Sequence, residues 1–248
     1  MTSVILQTLN DITIIKRNGK TQKFDEQKIT DRITRLIVLP GLPKLKCNAA
    51  IIVSKTKYAI NKSTITTSEI DELTAKQSYE FITIHPDYGR LAARIKVANL
   101  HKHTDDCFSS FIDRAANNVN ISIEGNPHTP LINNKLVKFV KNNKGRLNRI
   151  INENRDYNFD WLGIITLIDR YLLKKSGDEH EKQKNPEDYV IERPQYMWLR
   201  IACMLALNQK WLDDQREVIF NKVESIYTKL STGLISLATP TMKNAGTM

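Results

Sequence analysis

Glycine is scarce and scattered in this chain. Its nine glycines stand at 19, 41, 89, 125, 145, 163, 177, 233 and 246, with no two closer than thirteen residues. A Walker loop or a dinucleotide-binding fingerprint needs clustered glycines, because the backbone must turn tightly around phosphate. Neither can be written with this spacing, so any grip on phosphate has to come from side chains. Scarce glycine also leans the whole chain toward helix.

The 248 residues correspond to roughly one and a half to two domains. Hydrophobic residues make up 41% and charged residues 26%, which suits a packed core and excludes wholesale disorder. Lysine and arginine exceed aspartate and glutamate by 37 − 27 = 10. That excess points to acidic partners: nucleic acid, an anionic membrane surface, or phosphate-bearing small molecules. No uncharged run approaches the roughly 18 residues of a membrane span. The opening Met1-Thr-Ser-Val-Ile-Leu6 lacks the basic region and cleavage site of a signal peptide. Cys47, Cys107 and Cys203 are widely separated and form no CxxC. They read as reduced thiols of a cytoplasmic protein.

Along the chain, Ile12–Lys16 reads as a strand, Asn18-Gly19 as a hairpin turn, and about Thr21 to Asp25 as the return strand. From Gln27 the period becomes helical, with Ile29, Ile33, Leu36 and Ile37 on one face. Pro40-Gly-Leu-Pro43 ends that helix, and Ala49, Ile52, Val53, Thr56, Ala59 and Ile60 stripe the next. Ser68 followed by Asp71 has the spacing of a capping box for a third helix. His85-Pro86 breaks it, and Asp87 is placed to cap a fourth. Later helices are expected over Phe108–Ala116, Leu136–Ile151, Trp161–Leu173, around Met197–Leu205, and around Ile219–Leu230. The mixed-charge residues 175–190 read as a surface loop, and Leu234–Ala238 as a buried strand.

Two basic groupings stand out. Lys16, Arg17, Lys20, Lys23 and Lys28 fall within thirteen residues, and such converging cations hold a triphosphate without a glycine loop. On composition alone a solvated basic hairpin accounts for them as well. Lys135, Lys138, Lys141, Lys144, Arg146 and Arg149 form a second stripe that would track a phosphate backbone, or simply be a solvated helix face. His101 and His103 diverge on a helix and make a poor metal pair. No Ser-His-Asp or Cys-His order emerges from spacing.

Four segments together resemble one family. Ile15-Lys-Arg-Asn-Gly-Lys20 with Lys28-Ile29 resembles the start of an ATP-cone. His85-Pro-Asp-Tyr88, Leu91-Ala-Ala-Arg-Ile95 and Asn99-Leu-His-Lys102 resemble its end in the large subunit of class I ribonucleotide reductase. Glu192-Arg-Pro-Gln195 with Met197 and Arg200 resembles that subunit's helical N-terminal region. Ala238-Thr-Pro-Thr-Met-Lys-Asn-Ala-Gly-Thr247 resembles its first barrel strand and the following turn.

The resemblance implies a mainly helical fold with a small hairpin sheet. It divides into an ATP-cone over 1–104, a helical region over 105–232, and the first strand and turn of a truncated α/β barrel over 233–248. It implies reduction of ribonucleoside diphosphates by a protein radical, under control of ATP and dATP as Mg2+-bearing effectors, with no tightly bound metal. Implied nucleotide-binding positions are Lys16, Arg17, Gln22, Lys23, Phe24, Asp25, Glu26, Gln27, Lys28, Thr67, Asp71 and Lys102. Asp71 falls near the sugar, and Thr239 falls where the family touches substrate. The implied partners are the remaining C-terminal part of the large subunit, a small radical-generating subunit, and further large subunits in a homo-oligomer. Neither membrane nor nucleic acid is implied. The family's catalytic cysteines have no counterpart in Cys47, Cys107 or Cys203. Two other readings are a non-catalytic ATP-cone sensor, including a nucleic-acid-binding regulator, and an inactive fragment.

Overall fold

The computed structural model describes residues 12–121, 127–175, 189–208 and 216–247. It is mostly helical and divides into two compact units. The first takes in 1–99 and returns for Tyr157–Ile164, and the second holds 100–156 and 165–248.

The first unit begins with a hairpin, β1 (Thr13–Ile15) and β2 (Thr21–Lys23). Gly19 has φ +76, which glycine adopts without strain, and Lys16 N–H donates to Lys20 O at 2.8 Å to close the turn. The sheet has a third strand that periodicity did not announce. β3 (Thr64–Thr66) pairs parallel to β1, with Ile14 opposite Ile65, so the order is β2-β1-β3. Ile12, Ile14, Ile60, Ile65 and Ile70 pack beneath it.

Four helices complete this unit: α1 (Glu26–Ile37), α2 (Ala49–Ala59), α3 (Thr67–Glu80) and most of α4 (Asp87–His103). The expected stripes are buried, with Ile33, Leu36, Ile37, Ile52, Val53, Leu91 and Ile95 in one core. Each contributes about 1.5–3 kcal/mol relative to exposure. Tyr79 stacks on Trp161, with centroids 5.1 Å apart.

Two expected caps differ. The capping box of α3 is Thr66 with Glu69, two residues ahead of the Ser68–Asp71 reading. Pairing of β3 holds Thr66 in extended backbone at the helix entrance, and that decides between the overlapping patterns. Asp87 lies inside α4, where its carboxylate accepts the Lys46 backbone N–H at 2.8 Å and the Arg90 guanidinium at 3.1 Å.

In the second unit, α5 (Phe108–Asn117), α6 (Asn134–Ile150), α8 (Pro194–Leu207) and α9 (Arg216–Ser231) share a core that includes Phe108, Phe111, Leu136, Tyr196, Leu199, Val223 and Tyr227. A short antiparallel pair, β4 (Val119–Ile121) with β5 (Pro127–Pro130), precedes α6. Asn143 departs from helical dihedrals within α6, and its side-chain amide donates to Phe139 O at 2.7 Å across the kink. α7 (Trp161–Arg170) starts in the first unit and ends in the second.

The expected strand at Leu234–Ala238 is absent. Gly233, at φ +74, turns the chain out of α9, and Leu234 N–H returns to Lys229 O at 2.9 Å as a helix cap. An apolar run becomes a strand only beside a partner ladder, and among the described residues none pairs with it. Leu234 is 73% exposed. Thr239 instead opens a short helix, α10 (Thr239–Asn244). Of the expected 175–190 loop, residues 176–188 lie outside the described residues. No helix among the described residues is long and apolar enough to cross a membrane.

Candidate functional site

The sheet and α1 form the candidate site. β2 descends to Phe24, the chain turns, and Asp25 caps α1 by accepting the Lys28 backbone N–H at 3.2 Å. That bond, followed by the Lys28 side chain, holds the Asp25 carboxyl below its ordinary value. Around this turn lies a cleft of about 840 Å³, walled by Gln22, Lys23, Phe24, Asp25, Glu26, Gln27 and Lys28, with Thr30 and Ala50. Seven of these are residues anticipated from sequence. Thr30 and Ala50 were missed: Thr30 lies one turn beyond Glu26, whose carbonyl its hydroxyl caps at 2.9 Å, and Ala50 comes from α2. The cleft mixes signs. Glu26 pairs with Lys57 at 2.9 Å, while Lys28 lies 3.4 Å from Asp25 in a loose, exposed contact. Phe24 supplies an apolar wall.

A second cluster lies at the other end of the sheet, where β1 and β3 finish. Arg17 Nη2 donates to Asn99 Oδ1 at 2.6 Å, and its Nη1 donates to Thr67 Oγ1 at 3.4 Å. Asp71 is 2% exposed, so its charge must be matched. Arg32 of α1 makes the close ion pair with Asp71 Oδ1, while Arg17 stands off Oδ2 at 3.7 Å. Behind them Glu72 accepts Lys96 Nζ at 2.5 Å and Asn99 Nδ2 at 2.7 Å. Burial, and then the neighbouring Arg17 charge, pull the Arg32 guanidinium down to about 10. It stays protonated at neutral pH.

Arg17, Thr67 and Asp71 thus come together, and Arg32 joins them without having been singled out from the sequence. Its only advance signal was its place four residues after Lys28, on the same face of α1 and about 6 Å along the axis. Lys16 is exposed at the hairpin turn. Lys102 is exposed on the last turn of α4, beyond Asn99 where the first unit ends.

In the second unit, the Glu192–Gln195 segment forms a buried polar framework. Arg193 Nε donates to Thr104 Oγ1 at 2.8 Å and its Nη1 to Glu153 at 2.7 Å. Glu192 and Arg200 are both fully buried and joined by two bonds, 2.7 and 3.0 Å long. Arg200 also donates to Ala245 O, which seats the turn after α10. Gly246 (φ +83) packs there against Leu136, Arg200 and Met204, too close for a Cβ. Thr239 Oγ1 lies 3.2 Å from the Tyr171 hydroxyl, and Tyr171 lines a cleft of about 340 Å³ with Arg170, Lys174, Lys243 and Asn244.

The basic stripe of α6 is partly spoken for. Lys135 donates to Leu207 O at 2.6 Å, and Arg146 forms a forked pair with Glu217 at 2.7 and 2.5 Å. Among the described residues no three His, Cys, Asp or Glu side chains gather as a metal site.

Comparison with known proteins accounts for both units. The ATP cone domain family matches residues 12–103, and the ribonucleotide reductase all-alpha domain matches 157–248. The chain is 33% identical over 94% of its length to the ribonucleoside-diphosphate reductase large chain 2 of Saccharomyces cerevisiae, covering 24% of that protein. Over the same share it is 34% identical to the large subunit of Arabidopsis thaliana and 35% to that of Danio rerio, covering 26% of each. It therefore spans about a quarter of the length of the curated relatives it matches. The chain thus carries an ATP cone domain followed by a ribonucleotide reductase all-alpha domain, and along nearly its whole length it is similar to the N-terminal quarter of ribonucleoside-diphosphate reductase large subunits, at 33–35% identity.

Proposed function

We propose that the chain serves as the nucleotide-sensing part, and adjoining scaffold, of a ribonucleoside-diphosphate reductase large subunit. Residues 1–104 form the regulatory module, 105–232 the helical scaffold, and 233–248 the approach to the catalytic barrel. The observation that carries the reading is the cleft around Gln22–Lys28, set at the start of α1 within the span matched by the ATP cone. Phe24 offers a face for a purine. Lys28, with Lys16, Arg17 and Lys102, supplies charge for phosphates, and charge-assisted bonds of this type are about twice as strong as neutral ones. Thr67 and Asp71, at the start of α3, contact the nucleotide in this reading, Asp71 near the sugar.

ATP and dATP are the effectors. Asp25 is committed to the α1 cap and Glu26 to Lys57, so these carboxylates suit a magnesium ion carried in by the phosphates rather than one held by the protein.

The reaction of the whole assembly is reduction of ribonucleotides to deoxyribonucleotides, with Thr239 touching substrate. The thiyl and redox cysteines belong to the barrel, so these 248 residues alone reduce nothing. The rest of the large subunit, a small radical-generating subunit and further copies of the chain are the partners, and the cytoplasm is the setting. The all-alpha match over 157–248 favours this reading over a stand-alone sensor or nucleic-acid-binding regulator.

Calorimetric titration with ATP and dATP tests the reading. Lys28→Ala is expected to weaken both about ten- to hundredfold, from the loss of roughly 1.5–3 kcal/mol in one charge-assisted contact. Unchanged affinity in Lys28→Ala, or no binding by the native chain, would refute it.

A further inference from the structure

We infer that Asn18 is a site of covalent modification: the backbone nitrogen of Gly19 attacks its side-chain amide, and the product places a carboxylate in the basic hairpin. The effect on nucleotide binding rests on the reading of this unit as a nucleotide site. The modification itself does not.

The chemistry starts from one dipeptide. Asn18-Gly19 is the single Asn-Gly pair among the 248 residues. Ring closure brings Gly19 N onto Asn18 Cγ, and a side chain on the following residue would crowd that approach. The N–Cγ bond forms, Gly19 N loses its proton to a base in solvent, and the side-chain nitrogen leaves as ammonia. Water then opens the cyclic imide. Cleavage at one carbonyl returns an ordinary main chain with aspartate at position 18. Cleavage at the other leaves isoaspartate, whose main chain runs through the side-chain carbons. No oxidant or reductant takes part.

Three features of the fold favour the reaction. Asn18 and Gly19 are both exposed, so water and base reach them. Beyond its chain neighbours, nothing lies within 4 Å of where a Cβ on Gly19 would stand, so the ring has room to close. Lys20 N–H donates to Asn18 Oδ1 at 3.2 Å. That oxygen takes up negative charge as Gly19 N adds to Cγ, and a donor already aimed at it stabilises the charge as an oxyanion hole does. One bond opposes the attack: Gly19 N–H donates to Lys16 O at 2.9 Å and must first be released. It lies at an exposed hairpin tip, where local opening costs least.

The consequence is electrostatic. From Lys16 to Lys23 the hairpin contains Lys16, Arg17, Lys20 and Lys23 and no acidic residue. Conversion of Asn18 puts a negative charge into that stretch. The aspartate product keeps the turn, because its carboxylate accepts the Lys20 N–H as the amide oxygen did, and Asp-Gly suits a hairpin as Asn-Gly does. The new charge therefore stays beside the lysines and opposes a phosphate chain.

In the test, the full chain is incubated at mildly alkaline pH with and without urea, and peptide mass spectrometry follows Asn18 and Asn61. Asn61 is also exposed but is followed by Lys62. In the folded chain Asn18 is expected to become the acid about tenfold faster than Asn61 or more, and faster still as pH rises. Protein isoaspartyl methyltransferase should label part of the product. Asn18→Gln, whose longer side chain closes a less favourable ring, should stay an amide. Calorimetry with inorganic tripolyphosphate then compares the native chain with Asn18→Asp. A weakening of about threefold or more is expected at low salt, shrinking at high salt as the charge is screened.

Conversion of Asn18 only in urea, or no faster than Asn61, overturns the modification. Equal tripolyphosphate affinity in Asn18→Asp and the native chain overturns its electrostatic consequence. A native chain that binds neither ATP nor tripolyphosphate refutes the nucleotide site instead, a result distinct from the mass-spectrometric one.

Discussion

Replacing Glu192 by glutamine removes one charge and almost no volume from the second unit. Glu192 and Arg200 are both 0% exposed, so neither can turn to water when its partner is lost. The native carboxylate accepts Arg200 Nε at 2.7 Å, Arg200 Nη2 at 3.0 Å and the Leu173 backbone N–H at 3.0 Å. Glutamine supplies one acceptor oxygen and sets an NH2 group against one of those donors. Arg200 then keeps its charge with only the Ala245 carbonyl and half a partner. Leaving one member of a buried pair uncompensated costs about 3–5 kcal/mol, comparable to a large part of a domain's total stability. Removing both charges costs much less, because no buried ion remains. Glu192→Met with Arg200→Met should therefore be more stable than Glu192→Gln. Urea unfolding followed by circular dichroism measures both, on the transition of the second unit, with m-values checked for constancy. A loss below about 1 kcal/mol for Glu192→Gln, or a double variant no better than the single, would refute the argument.

Gly246→Ala combines a left-handed φ with a Cβ 2.8 Å from Leu136 Cδ2 and 2.9 Å from Arg200 Cγ, and should cost about 2–4 kcal/mol. Gly233→Ala shares the φ but has open space around it, so its cost should stay near 1–2 kcal/mol, and equal losses would refute the packing part. Acid should loosen the first unit at two helix starts. Asp25 is lowered chiefly by the Lys28 backbone N–H, and Glu69 by Lys62 and then Thr66. Both folded values lie below the ordinary 3.8 and 4.5, so the stabilisation is complete above about 4.5 and disappears as pH falls through the folded values. Urea midpoints at pH 7 and pH 3 should converge when Asp25→Asn and Glu69→Gln are combined, and an undiminished acid drop in that variant would count against the assignment.

What was legible in the sequence was local. Ile33, Leu36 and Ile37 announce α1 through their spacing, and Asn18-Gly19 announces its hairpin because few residues accept positive φ. The rest depended on partners distant in the chain. Thr64–Thr66 is too short to show a period and becomes a strand only against β1, some fifty residues earlier. The sequence Thr66-Thr-Ser-Glu-Ile-Asp71 contains two overlapping caps, and that strand pairing chooses between them. Leu234–Ala238 has the composition of a strand, but hydrogen bonding decides the matter, and here the bond goes back to α9. In the candidate site, Gln22–Lys28 is contiguous and could be read directly. Arg32 and Asp71 are 71 − 32 = 39 positions apart, and neither residue type signals the other.

The first unit takes its last piece, Tyr157–Ile164, from beyond a long excursion into the second. Trp161 in that piece stacks on Tyr79. During synthesis the ribosome must add 164 − 99 = 65 residues after Asn99 before this unit can close its core. At 5–20 residues per second that is a delay of roughly 3 to 13 s. For that interval the nascent first unit lacks the Trp161 ring that stacks on Tyr79 and has an unfinished core, a window in which chaperones and proteases meet more of its apolar surface than the completed chain shows them.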